Sequence, residues 1–407
     1  MSKTCVVVGG SHAAAQFVNS LRQEGWEDRI LIIGEEAVIP YHRPPLSKEY
    51  LAGDKSLEDI CLRPAAVYEE LGVEFMLGTR VQAIDPANKQ LTLADNATVA
   101  YDKLCLAVGS RVRTVDLPGV DLAGIHYLRT VADVDAIRAD LRPGARAVIV
   151  GGGYIGLEAA AVLNKLSLDV TVLEMAERVM QRVTAPEVSA FYTRVHGEEG
   201  VDICCDVGVT GFEGDGRVER VLTSDGGGCK ADLVIIGVGI LPNTELAGAA
   251  GLDVDNGIVV DEFARTSDVD IVAAGDCTSH YNPVYDRRVR LESVQNATDQ
   301  ARIAAATVCG REKSYNVLPW FWSDQYDLKL QIAGLCQGYD EVVVRGDPSA
   351  GRSFAVFYFR AGRLIAVDAI NRPAEFMLGK RLISERVDVD RELLTDESVH
   401  VRELLKK

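Results

Sequence analysis

The sequence predicts an α/β fold: two Rossmann-like dinucleotide-binding domains followed by a C-terminal α+β domain. Three observations predict it. Short apolar runs alternate with helical segments, the signature of a mainly parallel sheet. A strand, glycine turn, helix, strand and acid follow one another twice, from Thr4 to Glu35 and from Ala147 to Glu174. From about Leu318 the pattern changes to alternating strands of an antiparallel sheet.

The elements justify this in order. Thr4–Val8, Ile30–Ile33, Ala147–Val150, Val170–Leu173, Leu233–Ile236 and Ile271–Ala274 are apolar runs of buried-strand length. The first glycine turn places Gly9, Ser11 and Ala14 where a dinucleotide fingerprint needs a tight turn, a close backbone approach and close helix packing. The unpaired N–H groups of the helix that follows favour phosphate. Glu35, after the next strand, is placed to accept from ribose hydroxyls. The second turn is a full G-x-G-x-x-G on Gly151, Gly153 and Gly156, with Glu174 ending the next strand. That acid favours NADH over NADPH, whose 2′-phosphate it repels; Arg178 is expected to soften the preference. Tyr154, Ile155, Glu158, Gly237 and Gly239 are assigned to the same NAD site. In the last region Val342–Arg345, Phe354–Phe359 and Leu364–Ala369 read as strands, with turns at Gly351 and Ala361-Gly362. A helix from about Asp396 to Lys407 closes the chain. The expected domains are 1–114 and 241–318 for the first dinucleotide unit, 115–240 for the second, and 319–407.

Composition excludes several functions. The 407 residues suffice for two to four domains. There are 43 basic and 60 acidic residues, a net charge of −17, which argues against nucleic acid as a partner. Mean hydropathy is +0.05, and the longest apolar stretch, Ala147–Leu157, is interrupted by glycines. No membrane span is expected. Thr4 is reached without a secretion signal, so the expected compartment is the cytoplasm. The nine cysteines include no C-x-x-C or C-x4-C pair, and an odd count does not complete a disulfide framework. No metal site is expected.

Several segments together resemble the ferredoxin/rubredoxin reductase family, within the clan of glutathione-reductase-like enzymes and apoptosis-inducing factor. They are Pro40–Lys48, the second turn through Glu158, Gly239–Thr244, Ala274-Gly275-Asp276, Leu291–Ala297 and Trp320–Gln325. The resemblance covers nearly the whole chain. It departs from the family at Ser11, for the second fingerprint glycine, and at Val108, for a usual Thr. It implies that the first unit (1–114, 241–318) binds FAD and the second (115–240) binds NADH.

The FAD-binding residues it implies are Gly9, Ser11, His12, Ala13, Ala14, Glu35, Arg43, Pro45, Lys48, Val81, Ala107, Gly109, Arg129, Asp276, Glu292, Ser293, Val294 and Trp322. Within these, Arg43 matches a pyrophosphate contact and Asp276 a ribityl or phosphate contact. Val294 opens a helix whose N–H groups approach the flavin O2. Lys48, Glu158 and Trp322 match the catalytic positions: Lys48 sits near the flavin N5 edge paired with Glu158, and Trp322 borders flavin and nicotinamide.

Disulfide reductases of this clan carry cysteines beside the flavin. The matching segment here, Tyr41–Leu51, has none, and Cys61 falls further along the chain. Electrons must therefore leave to an outside acceptor. The resemblance implies a 2Fe–2S ferredoxin, or rubredoxin, feeding an oxygenase such as a cytochrome P450 or a ring dioxygenase. Docking of an acidic ferredoxin is expected at Arg287, Arg288, Arg290 and Arg302, with Arg311, Lys313, Lys380 and Arg381 contributing. Two readings stay open beside it: an NADH-dependent reductase of a quinone or monodehydroascorbate, and a redox-sensing interaction protein like apoptosis-inducing factor.

Overall fold

The structure, a computed structural model, describes residues 3–405. The chain divides into two compact units. One comprises the residues up to Arg43, Ser56–Arg111 and Ile240–Val317; the other comprises Pro44–Lys55, Val112–Gly239 and residues from Leu318 onward.

The first unit is built on a five-stranded parallel sheet in the order Ile271–Ala273, Lys103–Leu106, Thr4–Val8, Arg29–Gly34, Val73–Leu77. Its strands are covered on both faces, which is why they are runs of Val, Ile and Leu rather than alternating patterns. On one face lie the helices His12–Gln23 and Val294–Val308. Their small residues, Ala14, Ala301, Ala304 and Ala305, are fully buried in a shared core and let the helices come close. The other face packs Leu104, Leu106, Ile258 and Ile271 with Leu91 and Leu93 of a small antiparallel sheet.

The second unit repeats the plan. Its parallel sheet runs Asp202–Cys204, Asp169–Leu173, Arg146–Val150, Leu233–Ile236, Ile125–Tyr127. The same unit holds the C-terminal antiparallel sheet, in the order Trp320–Gln325, Leu328–Gly334, Arg363–Ile370, Phe354–Arg360, Glu341–Arg345. Ala361 and Gly362, both at positive φ, turn its Phe354–Ile370 hairpin.

Two expectations differ from this. The major C-terminal helix is Pro373–Glu385, with Pro373 at its first turn. It lies against the sheet at Gly379, where a Cβ would come within 2.5 Å of Val367. The expected closing helix is only a 3-10 turn, Val401–Leu405, and its last two residues lie outside the described ones. Residues 44–55, expected in the first domain, lie in the second unit, where Tyr50 Oη donates to Asp135 at 2.8 Å and Lys48 reaches Glu158. No helix among the described residues is long and apolar enough to cross a membrane. All nine cysteines are free.

Candidate functional site

In each parallel sheet the strand order reverses beside one central strand, Thr4–Val8 in the first unit and Arg146–Val150 in the second. Ligands of open α/β sheets bind at the carboxyl end of such a strand. Both strands end in a glycine turn. Gly9 has φ +113°, and a Cβ there would lie 2.1 Å from the Ala107 carbonyl oxygen. Gly151 has φ +112°, with the Gly237 oxygen at 2.5 Å from a Cβ. Backbone crowding by the neighbouring strand requires glycine at both. Ser11 departs from the fingerprint at no backbone cost. It caps the helix His12–Gln23 in an extended conformation open to any residue.

Around the first turn, Arg43 Nε reaches Ser11 Oγ at 3.4 Å, and its guanidinium pairs with Glu36, which also accepts from Tyr41 Oη. Glu36 was not singled out in the sequence; it adjoins Glu35, whose exposed carboxylate lies 3.6 Å from Arg80. Asp276 is half-buried and accepts from Ser110 Oγ at 3.0 Å. It follows Gly275, whose φ of +93° lets the turn fit against Ala13 and Ala297. Ser293 caps the helix Val294–Val308 by accepting from Asn296 N–H, so the N–H groups at Val294 open a helix as expected. Glu292 pairs with Arg290. His12 and Ala13 are buried in the first turn of their helix, Val81 and Ala107 are buried, and Gly109 has φ +59°. Arg129 lies in the second unit, its N–H donating to Asp133 Oδ2 at 3.0 Å.

The second turn fits a dinucleotide by an observation independent of its motif. Gly153 caps the helix Tyr154–Lys165 with ordinary extended angles, φ −81° and ψ 179°. Nothing lies within 4 Å of a Cβ there. The protein itself has no need of a glycine at Gly153; a closely approaching ligand does. At Gly156, by contrast, a Cβ would meet the Gly151 oxygen at 2.1 Å. Glu174 folds back on the turn, accepting from Gly152 N–H at 2.7 Å and Ala176 N–H at 2.8 Å. Arg178 does not share this site. Its guanidinium donates to the Thr184 and Gln181 carbonyls and to Ser189 Oγ and makes no hydrogen bond to Glu174. Ile155 is exposed, whereas Tyr154 turns its ring into the core, edge-on to Phe321 at 5.1 Å. Gly239, at φ +107°, follows the strand beside the turn.

Pro44–Ser47, including Pro45, forms a 3-10 turn that leads into the short helix Glu49–Ala52, with Lys48 at the junction. This geometry aims Lys48 Nζ at Glu158 Oε2, 2.6 Å away, with both side chains largely buried. The sequence did not indicate that two serines share this carboxylate: Ser47 Oγ donates to Oε2 and Ser323 Oγ to Oε1, each at 2.6 Å.

Ser323 belongs to the strand Trp320–Gln325, whose faces alternate. Trp320, Trp322 and Asp324 line a shallow groove of about 290 Å³ with Lys329 and Gln331. The two indoles lie 5.7 Å apart, and Lys380 Nζ stands 5.2 Å over Trp320. Burial pushes the Asp324 carboxyl up.

Cys61 is nearer to Tyr41 than chain distance suggests, since the two bridge as strand partners. Its thiol donates to the Leu57 carbonyl and is pushed up by burial, which disfavours the thiolate. The expected basic patch is partly neutralised. Arg290 pairs with Glu292, Arg302 with Asp299, and both Arg311 and Lys313 with Glu24. Arg287 and Arg288 are exposed on the strand Arg287–Val289, and Arg288 Nη1 donates to the Ser279 carbonyl at 3.2 Å.

Comparison with known proteins agrees across both units. A family model described as pyridine nucleotide-disulphide oxidoreductase matches residues 3–301, and one described as reductase C-terminal matches 320–405. Putidaredoxin reductase CamA of Pseudomonas putida is 46% identical, covering 98% of this chain and 96% of that protein. The ferredoxin reductase subunit of 5,5'-dehydrodivanillate O-demethylase from Sphingobium sp. is 47% identical, covering 98% of each. The crystal structure of a covalent putidaredoxin reductase–putidaredoxin complex matches with a TM-score of 0.96 at 45% identity, covering 99% of this chain and 98% of that one. A likeness that runs through both parallel sheets and the C-terminal sheet leaves one assignment: the chain belongs to the pyridine nucleotide-disulphide oxidoreductase family, among its ferredoxin reductases.

Proposed function

We propose that this protein is an FAD-dependent NADH:ferredoxin oxidoreductase whose reduced 2Fe–2S ferredoxin serves an oxygenase. The observation that carries the reading is the pair of equivalent glycine cradles, each at a reversal of strand order. When bound, FAD supplies a hydride acceptor for NADH and a one-electron donor for an iron–sulfur cluster. The chain's own residues do the rest. Gly9, Ser11 and Arg43 hold the flavin pyrophosphate, and Asp276, steadied by Ser110, holds the ribityl region. Gly153 admits the NADH pyrophosphate and Glu174 takes its ribose. Lys48, fixed by Glu158, presents a cation where negative charge arrives.

The segment Tyr41–Leu51 has no thiol to receive electrons, which supports an outside acceptor. The relatives bear ferredoxin-reductase names, and putidaredoxin is bound in the similar complex. We assign docking to Arg288 before Arg290 and Arg302, because Arg288 donates to the neutral Ser279 carbonyl whereas Arg290 and Arg302 are ion-paired, and ion-paired arginines contribute less to long-range attraction. Nine free cysteines fit a reducing compartment, and we place the protein in the cytoplasm on that ground.

The test is the visible spectrum. The purified protein should be yellow and bleach with NADH, and cytochrome c reduction should depend on added ferredoxin. A colourless protein that binds no FAD overturns the reading. Rapid quinone reduction with no turnover of any ferredoxin from the same cell replaces it with a small-molecule reductase.

A further inference from the structure

The Glu158 carboxylate is the end of a longer chain of buried groups, all in the second unit. Ser323 Oγ, 2.6 Å from Glu158 Oε1, is itself 3.2 Å from Gln325 Nε2. Gln325 Oε1 lies 2.8 Å from His196 Nε2, and His196 Nδ1 lies 3.2 Å from Tyr326 Oη. Ser323, Gln325 and His196 are each no more than 2% exposed. Ser323 and Gln325 are two apart on one strand and so share a face. His196 comes from the helix Pro186–Glu198.

Donor and acceptor chemistry allows this chain one polarity. An ionised carboxylate only accepts, so the single Ser323 hydrogen goes to Glu158. Gln325 must then turn its NH₂ to Ser323 and its carbonyl to His196. The carbonyl needs a donor, so His196 carries its hydrogen on Nε2. Its bare Nδ1 accepts from Tyr326 Oη. Every hydrogen bond points toward Glu158, an arrangement in which successive dipoles reinforce one another. Burial holds the His196 imidazolium form down, against the hydrogen bond to Gln325 and the charge of Glu199. The Gln325 amide does not pass protons along, so the chain transmits orientation and polarity only.

We propose that His196 is a positioning residue for the Lys48–Glu158 pair, acting through Gln325 and Ser323. Glu158 holds two donors on Oε2, Lys48 and Ser47, and one on Oε1. The chain fixes that third contact and with it the plane of the carboxylate. Without it the carboxylate is free to turn about its stem and carry Lys48 with it. The kinetic consequence rests on the reading of the protein as an FAD–NADH enzyme; the hydrogen positions do not.

The experiment therefore has two arms. In the first, the holoprotein labelled with ¹⁵N at its six histidines is examined by NMR, and His196 is identified by the signal lost in His196→Gln. Nε2 should be protonated and Nδ1 bare, and the Nε2 signal should shift when Glu158→Gln is introduced at the far end. A hydrogen on Nδ1, or an Nε2 signal unmoved by Glu158→Gln, overturns the proposal. In the second arm, flavin bleaching by NADH is followed by stopped flow. Gln325→Leu and His196→Leu should each slow it roughly tenfold, the scale of one hydrogen bond to a charged group. The double variant should be no slower than either, and the KM for NADH should hold. His196→Gln keeps a donor at the Nε2 position and should remain within about twofold of the parent. Additive losses, or His196→Gln falling as far as His196→Leu, overturn the proposal. Ser323→Ala serves if a leucine variant fails to fold. A protein that takes up no FAD overturns the proposed function and leaves the first arm standing, since the same NMR measurement is then made on the protein as purified.

Discussion

Gly9 and Gly153 occupy equivalent fingerprint turns, yet for different reasons. Gly9→Ala forces a side chain into positive φ and against the Ala107 carbonyl. The backbone strain alone costs about 1–3 kcal/mol, so thermal melting should drop sharply. Gly153→Ala meets no protein atom and should change stability by no more than about 1 kcal/mol, the difference between cap residues. It should nevertheless weaken NADH binding about tenfold or more, measured by titration of the oxidised protein. Equal losses of stability in the two variants would refute this division. We assign selectivity at the same site to Glu174. Glu174→Ala should bring the kcat/KM values for NADH and NADPH together from a ratio of roughly tens to hundreds. Arg178→Ala should leave the ratio unchanged, because Arg178 is engaged with Thr184, Gln181 and Ser189.

The C-terminal strands show how one element serves two ends. Even-numbered residues of Trp320–Gln325 face the indole groove, and odd-numbered ones reach helix residues Tyr154, Glu158 and His196. A single-residue register slip would exchange the two sets. The end of the chain is tied down by Arg345, on the strand Glu341–Arg345. Its buried guanidinium donates to the Leu394, Asp396 and Val399 carbonyls and pairs with Glu375 at 3.3 Å. Arg345→Met removes the charge centred on those carbonyls and should cost roughly 3 kcal/mol in denaturant unfolding. It should also open Arg391 and Arg402 to trypsin while the rest of the chain stays resistant. A tail as resistant as that of the parent would show that other contacts hold it.

For the whole molecule, several groups make stability depend on pH, and Asp368 and His280 act in the same acid range with opposite signs. The Asp368 carboxyl, fully buried and bonded to Tyr358, is pushed up to about 7 by burial. An unfolded aspartate titrates near 3.9. Between these values the unfolded chain releases the proton while the folded chain keeps it. The contribution of Asp368 to stability therefore falls as pH rises from about 4 to about 7 and is level above that. Asp368→Asn mimics the neutral form and removes that contribution. Relative to the parent, the variant should gain on the order of 2–3 kcal/mol between pH 5 and pH 8, read from unfolding free energies at both. A constant difference would mean that Asp368 is not neutral in the folded protein. Partner recognition belongs to this scale as well. Ferredoxin turnover should weaken with salt as the Debye length shortens from about 10 Å at 0.1 M. Charge reversal at Arg288 should raise the KM for ferredoxin more than reversal at the ion-paired Arg302, with ferricyanide reduction spared in both.

Local rules were enough for the parallel strands and the two glycine turns, and the family resemblance supplied the pairing of Lys48 with a glutamate. Strand periodicity and helix N-termini are set by residues within a few positions of one another, although the crowding that requires glycine at Gly9 and Gly151 comes from Ala107 and Gly237 on neighbouring strands. The C-terminal helix Pro373–Glu385 escaped because its packing depends on Gly379 meeting Val367, a contact invisible along the chain. Residues 44–55 read as part of the first domain, but Lys48 and Tyr50 bond to Glu158 and Asp135. Arg178, Arg290 and Arg302 kept their charge in the sequence and lost their availability in the fold, because nearby carbonyls and carboxylates took their hydrogen bonds. The Ser323–Gln325–His196 chain is the clearest case: its members lie up to 129 positions apart, and only tertiary packing brings their donors and acceptors into one line, because a hydrogen bond depends on distance in space and not on separation in sequence.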